Sequence, residues 1–374
     1  VDTGFFEHRK GILGINFGVL IPGIPRGVFM SELRYDPIRK SWVIIATERG
    51  MRPTDNQRHE QLRPPVSKAV CPFCPGNENR TPPEIFAVRE PGSKPNSPGW
   101  TIRVIPNKFP ALTIESPQER YGKGIYDVVS GFGAHEVIVE TPSDKEQMPD
   151  FTVAHLRDVF NVYRSRLTDL KKDQRFRYIM IFKNYGSEAG ASLCHSHSQI
   201  IAIPVTPSLV AVELASVRDY FLLKERCMMC DIIHQELEDD ERIVLNDEHF
   251  VVFTPFASSF PFELRITPKV HSHDFSVIDE ERLYHFSAVV KDVLLRLRTV
   301  LNDPPYNFIL HTAPPAATRV GKPDYWSSIG DDYHWYLELI PRMTMIAGFE
   351  WGTGFQINPT SPEDAAKFLR EKEI

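Results

Sequence analysis

The sequence predicts an α+β fold, a duplicated unit of antiparallel sheets with packed helices, and three observations carry that expectation. Two Cys-x-x-C pairs, Cys71/Cys74 and Cys227/Cys230, stand far apart in a chain of 374 residues. Each pair leads the same series of strand, strand, amphipathic helix, strand, loop and histidine-headed strand. The composition is that of a globular protein, 42% hydrophobic and 25% charged, which excludes disordered, collagen-like and coiled-coil chains. At ~150 residues per domain the length fits two such units, and order and element type agree between them.

Residues 1–29 hold Arg9-Lys10 and a short apolar run broken by Asn16 and several glycines. The run is too short to cross a bilayer and no small-residue cleavage site follows it, so it reads as an extension, disordered or non-native. Residues 30–206 form the expected first unit. After Cys71-Pro-Phe-Cys74 come β-like runs from Trp100 and His135, then a helical pattern over 151–172 with Val153, Leu156, Val159, Phe160, Tyr163 and Leu167 on one face. A buried strand from Tyr178 and a glycine-rich loop lead to His195. A connecting helix near 207–226 opens the second unit, 207–374. There Cys227-Met-Met-Cys230 precedes strands from His249 and Phe262. A helix over 279–302 follows, with Leu283, Phe286, Val289, Val290, Val293, Leu294 and Leu297 inward, and then strands from Tyr306 and His334. Ser361-Pro-Glu-Asp gives a closing helix its N-cap, its first-turn proline and its first-turn acids.

Net charge is −6 and no basic–aromatic stripe is present, which argues against a nucleic-acid partner but not against small phosphorylated ligands. No stretch approaches transmembrane length, so no membrane partner is expected. Five cysteines in a chain this large are too few for a disulfide framework. The paired four read as metal ligands in a reducing, cytoplasmic compartment.

Asn184-Tyr-Gly-Ser-Glu-Ala-Gly-Ala-Ser-Leu-Cys-His-Ser-His-Ser-Gln199 is the segment richest in chemistry. Strand alternation puts His195, His197 and Gln199 on one face. The small residues around Gly186, Gly190 and Ser192 let backbone N–H groups approach a phosphate. His197 can attack phosphorus if its other ring nitrogen is fixed by a hydrogen bond. Gln199 can donate to an oxygen on which charge develops.

The His195-x-His197-x-Gln199 strand resembles the active-site motif of the galactose-1-phosphate uridylyltransferase family, whose chains hold two histidine-triad-like halves. The resemblance extends over about residues 31–372. It includes Arg49-Gly-Met-Arg52, Cys71-Pro-Phe-Cys-Pro-Gly-Asn, Asn107-Lys-Phe-Pro and Gly352-Thr-Gly-Phe-Gln-Ile-Asn-Pro. The tail is similar to the branch that includes plant ADP-glucose phosphorylase. The resemblance implies double displacement between a nucleotide sugar and a sugar 1-phosphate through a nucleotidyl-histidine. It makes His197 the nucleophile and Gln199 the phosphoryl-stabilising residue. Arg49, Arg52, Asn184, Gly190 and Ser192 would lie at the phosphates, and Asn107 beside the ribose. Galactose-1-phosphate uridylyltransferase chemistry is the expected activity, with adenylyl transfer of the ADP-glucose phosphorylase type as the alternative. A homodimer is implied as well.

The resemblance also implies two structural zinc ions (Zn2+) per chain. Cys227, Cys230, His271 and His334 match one ligand set, with His273 as a possible substitute for His271. Cys71, Cys74 and His195 match the other. Its fourth position falls on Asp144, and His135 is a rival. Two departures stand out. Ser196 replaces the family's proline, which would loosen the strand entry. Tyr336 takes the nucleophile's place in His334-Trp-Tyr336-Leu-Glu338, which makes the second half non-nucleophilic. His311 reads equally as a core or a nucleotide-site residue. His8, His59, His155, His234 and His285 read as surface residues, and Cys194 as a packing residue.

Overall fold

The computed structural model describes residues 31–50, 71–316 and 326–372. The extension over 1–29 and Arg52 lie outside the described residues. Fifteen strands form among those described. They are β1 (Glu32–Asp36), β2 (Ser41–Ile45), β3 (Phe86–Arg89), β4 (Trp100–Pro106), β5 (Arg120–Lys123), β6 (Tyr126–Val129), β7 (Ala134–Val139), β8 (Tyr178–Tyr185), β9 (His197–Ile203), β10 (Ile243–Asn246), β11 (Phe250–Phe253), β12 (Leu264–Pro268), β13 (Tyr306–His311), β14 (Tyr336–Pro341) and β15 (Gln356–Asn358). The helices are α1 (Val153–Leu170), α2 (Ser208–Lys224), α3 (Met228–Asp239), α4 (Glu280–Leu301), α5 (Ile329–Asp332), α6 (Gly348–Thr353) and α7 (Pro362–Arg370).

The duplication is written in the strand order. One ten-stranded sheet runs β10-β11-β12-β14-β13-β8-β9-β7-β4-β3. Read inward from each edge, the two sets of five follow the same plan, and they meet where β8 pairs antiparallel with β13. β1, β2 and β15 make a separate three-stranded sheet, and β5–β6 a hairpin.

Both long helices form where apolar periodicity placed them. Thr152 caps α1 by accepting the His155 N–H, and Asp279 caps α4 by accepting that of Arg282. Asn302, left-handed at φ 56°, ends α4. All seven residues predicted to face inward on α4 are buried. On α1, Val153 is only half-buried and the other five are buried. The helices pack side by side, with the Phe160 and Phe286 rings 4.8 Å apart, in one core that underlies both halves. Removing either ring would cost about 3–5 kcal/mol. Arg166, on the buried face of α1, is tied to the sheet by a bidentate bond to Glu136 at 2.7 and 2.8 Å.

Two strands start later than the sequence suggests. β9 begins at His197 and β14 at Tyr336, so His195 and His334 each lie just ahead of their strand. The second Cys-x-x-C sits at a helix start: Cys227 is the N-cap of α3. Ser361 caps α7 as its sequence predicts.

Candidate active site

The loop between β8 and β9 depends on its glycines. Gly186 (φ 84°, ψ 154°) and Gly190 (φ 90°) flank the single turn Ser187–Ala189 in conformations that side chains rarely adopt. A Cβ on Gly190 would also stand 3.6 Å from the Asn184 amide nitrogen. Asn184 is held in turn by Asn307 of β13, whose side-chain amide donates to it at 2.8 Å and to the Ala189 carbonyl at 2.8 Å. The second half thus braces the first half's loop, a contact no local sequence signal reveals. Ser192 is exposed beyond it.

His197 is buried, and its Nδ1 donates to the His195 carbonyl at 2.7 Å. The proton is therefore on Nδ1, and Nε2 carries the free lone pair. Burial and the Lys183 charge push its pKa down to about 4, so the ring is neutral at physiological pH. Phe73, between the first two cysteines, lies edge-on to both His195 and His197 at 6.1 and 5.3 Å. It fixes the two rings relative to one another.

Gln199 has a partner that the sequence reading assigned elsewhere. The Ala111 N–H donates to His135 Nδ1 at 3.2 Å, so the His135 proton sits on Nε2, which donates to Gln199 Oε1 at 2.8 Å. The Asn107 amide lies 3.0 Å from the same Nε2. His135 is therefore tied to Gln199 through its ring and to the Asn107 N–H through its carbonyl at 2.8 Å, and it does not join the cysteine cluster. Because Gln199's carbonyl oxygen is occupied, its NH2 group is the end left to meet an anion.

Ser196 does not loosen the strand entry. It is fully buried, donates to Glu140 at 2.6 Å and accepts from Lys183 at 3.0 Å. Lys183 also donates to Glu140 at 2.6 Å and to the His197 carbonyl at 3.1 Å, which satisfies all three of its protons. Glu140 further accepts from Tyr163 at 3.1 Å and from Ser198. Burial alone would raise the Glu140 carboxyl, but the adjacent ammonium overrides this and holds it below the usual range. This closed network lies directly beneath the histidine strand.

The metal-ligand candidates form two clusters. Donor atoms of Cys227, Cys230, His271 and His334 all lie within 4.8 Å of one another. Cys230 Sγ is 3.5 Å from Nδ1 of both histidines, and Cys227 Sγ is 4.0 Å from that of His334. A tetrahedral zinc with bonds of about 2.3 Å to sulfur and 2.0 Å to nitrogen sets its ligands roughly 3.5 Å apart, so the set fits zinc. His271 Nε2 donates to the Gly330 carbonyl (2.8 Å) and His334 Nε2 to that of Pro268 (3.0 Å), which turns both Nδ1 lone pairs inward. The first-half cluster is wired alike. His195 Nε2 donates to the Thr141 carbonyl at 2.7 Å, and its Nδ1 lies 3.6 and 3.7 Å from Cys71 and Cys74. Asp144 does not join this group. His273 stands outside the second cluster.

Other readings also change. Cys194 is exposed rather than packed. His155 is half-buried against Phe151, with Nε2 2.7 Å from the Glu140 carbonyl, and His285 is half-buried beside Asp247. His234 is exposed as expected, and His8 and His59 lie outside the described residues. His311 is buried, 3.3 Å from Glu338, 3.6 Å from Glu213, and stacked on Tyr336 at 4.3 Å. Arg49 closes the turn Thr47–Arg49. No described helix is long and apolar enough to cross a membrane.

Comparison with known proteins places these features in context. Residues 26–207 match the family model for the N-terminal domain of galactose-1-phosphate uridyl transferase, and residues 213–371 that for its C-terminal domain. The chain is 36% identical to ADP-glucose phosphorylase of Arabidopsis thaliana over 342 residues, 91% of this chain and 92% of that protein. It is 29% identical to galactose-1-phosphate uridylyltransferase of Thermotoga maritima over 353 residues, 92% of this chain and 99% of that protein. A crystal structure of an Arabidopsis ADP-glucose phosphorylase with bound ADP-glucose superposes with a TM-score of 0.75 at 34% identity, covering 92% of this chain and all of that one.

Proposed function

The chain belongs to the galactose-1-phosphate uridyl transferase family, and from that premise we propose that it transfers a nucleoside monophosphate through a covalent bond to His197. The family's members are nucleotidyltransferases acting on sugar phosphates, and this chain is an enzyme of that class. The observation that carries the reading is the fixed tautomer of His197: Nδ1–H is held by the His195 carbonyl, and Nε2 is neutral and free. Nε2 attacks the α-phosphorus of a nucleotide sugar, the phosphorus–oxygen bond to sugar 1-phosphate breaks, and a nucleotidyl-histidine forms. An acceptor phosphate oxygen then attacks the same phosphorus and releases Nε2. Gln199, oriented by His135, donates to the non-bridging oxygens as charge develops. Asn184, Gly190, Ser192, Arg49 and Arg52 are assigned to the phosphates, and Asn107 to the ribose side.

Two specificities are open to this chemistry. The 36% identity to ADP-glucose phosphorylase, against 29% to the uridylyltransferase, supports adenylyl transfer from ADP-glucose to phosphate. Uridylyl transfer to galactose 1-phosphate is the second reading, supported by the match of both halves to the uridyl transferase models. The cysteine–histidine clusters are assigned to structural zinc, which when bound would fix the loops that lead into β9 and β14. Thiolate ligands suit a cytoplasmic protein. Exposed apolar side chains such as Ile125, Met345 and Trp351 suit a homodimer. The halves are taken to divide between residues 206 and 207.

A product assay decides the substrate. ADP-glucose and UDP-glucose are each offered with phosphate or galactose 1-phosphate. ADP from ADP-glucose and phosphate is expected; UDP-galactose formation alone would select the second reading. Failure of all four pairs, with no acid-labile label from either nucleotide, would overturn the nucleotidyl-transfer reading.

A further inference from the structure

The edge of the large sheet farthest along the second half carries a cluster that nucleotidyl transfer does not use. β10 and β11 are joined by Asp247, Glu248 and His249, and the first turns of α4 bring Glu281 and His285 against that turn. One donor atom from each of Glu248, His249 and His285 lies within 4.8 Å of the other two. The two imidazoles meet edge to face at 4.5 Å. His285 Nδ1 lies 3.2 and 3.3 Å from the oxygens of Asp247, so it donates to that carboxylate and its Nε2 lone pair points away. Asp247 is itself fixed, because it accepts the His249 N–H at 2.9 Å. His249 Nε2 is buried and has no hydrogen-bond partner; the nearest charge is Glu281 at 3.9 Å.

A buried imidazole nitrogen without a partner is costly. Here it stands beside a second imidazole oriented by a carboxylate and a third group, Glu248, whose exposed side chain is free to turn toward it. A turn and helix end that served packing alone would hydrogen-bond that nitrogen or replace it with carbon. We propose that Glu248, His249 and His285 form a binding site for a borderline divalent transition-metal ion such as zinc, nickel or cobalt. Two nitrogens and one oxygen suit such ions and not calcium or magnesium, which prefer all-oxygen shells. Asp247 is the outer-shell partner, and Glu281 is placed to supply a fourth ligand. The site is separate from the cysteine clusters. It is also remote from the nucleophile: β10 and β9 are six strand positions apart, roughly 29 Å at about 4.8 Å per strand. The bound ion would staple the β10–β11 turn to α4.

The test uses the full-length enzyme with its cysteine sites filled with zinc, titrated with cobalt(II). One further equivalent is expected, with visible d–d absorption but no thiolate-to-cobalt charge-transfer band, and with a rise in melting temperature. H249A and H285A should lose that equivalent and the thermal shift while turnover stays as in the wild type. D247N should weaken binding by roughly 10–100-fold. E248Q, at an exposed position, tests the site without disturbing packing and should also weaken it. Equal cobalt uptake by wild type, H285A and E248Q would overturn the proposal, as would a further equivalent that carries a thiolate band.

Discussion

Each half of this chain has a strand entered through a histidine of a cysteine–histidine cluster, and the two strands differ most two residues later. In β9 that position is His197, with one nitrogen fixed and the other free. In β14 it is Tyr336, stacked on His311 and under the Arg265 guanidinium at 5.2 Å, with a hydroxyl that has no hydrogen-bond partner. The wiring around the two cluster histidines is the same in both: Nε2 donates to a carbonyl and Nδ1 faces the cysteines. Beneath the strands the halves diverge again. The first half buries one compact pair, Lys183 and Glu140, closed by two serines and a tyrosine. Around β14 charge is spread over Glu213, Glu263, Arg265, His311 and Glu338 of the second half together with Asp36 and Arg39 of the first. A duplicated scaffold carries a cysteine–histidine cluster in both copies and the histidine proposed as nucleophile in only one.

The sharpest way to break this comparison is to change each of the two positions in turn. H197N should lower turnover by about 10^4-fold or more and abolish the acid-labile nucleotidyl label. Y336F should leave the label stoichiometry unchanged and shift stability by no more than about 0.5 kcal/mol, because its hydroxyl binds nothing. Label retained on H197N would remove the distinction between the halves.

The next largest effect concerns the buried pair. K183M leaves Glu140 charged and unpaired, and should cost about 3–5 kcal/mol in denaturant unfolding. K183M with E140Q should recover much of that loss. If the double variant is no more stable than K183M alone, the network does not work as a unit.

H135F removes the donor that orients Gln199. It should lower kcat by roughly 10^2-fold with KM little changed, while zinc content stays as in the wild type. Loss of one zinc instead would return His135 to the ligand set.

The smallest effect is a pH slope in the second half. Burial would lower the His311 pKa, but the Glu213 and Glu338 carboxylates override it and raise it to about 9. A folded-state pKa above the unfolded value of about 6.5 means that the stabilisation is complete below pH ~6.5 and is lost as pH rises through about 9. In urea titrations at pH 6 and pH 9.5, H311Q should therefore show a smaller loss of stability than the wild type. Parallel slopes would show that His311 is neutral throughout.

The duplication, the two long helices and the closing helix were legible in the chain, because periodicity, caps and Cys-x-x-C spacing are local; the resemblance supplied all four residues of the second-half cluster. Sequence identified His197 and Gln199 as the pair to watch for the same reason: they alternate on one short strand. The chain alone could not show that His135 belongs to Gln199 rather than to Cys71 and Cys74, nor that Asp144 stands aside. It could not show that Ser196 closes a buried network with Lys183 and Glu140, or that Asn307 braces Asn184 from the other half. Each of those facts depends on which strands become neighbours in the ten-stranded sheet. β7 lies beside β9, and β8 pairs with β13 across 123 residues between Asn184 and Asn307. Sequence determined which side chains could do the chemistry. The tertiary structure decided which partners fix their protons and lone pairs, because a hydrogen bond requires two groups within about 3 Å, and only the folded sheet brings them there.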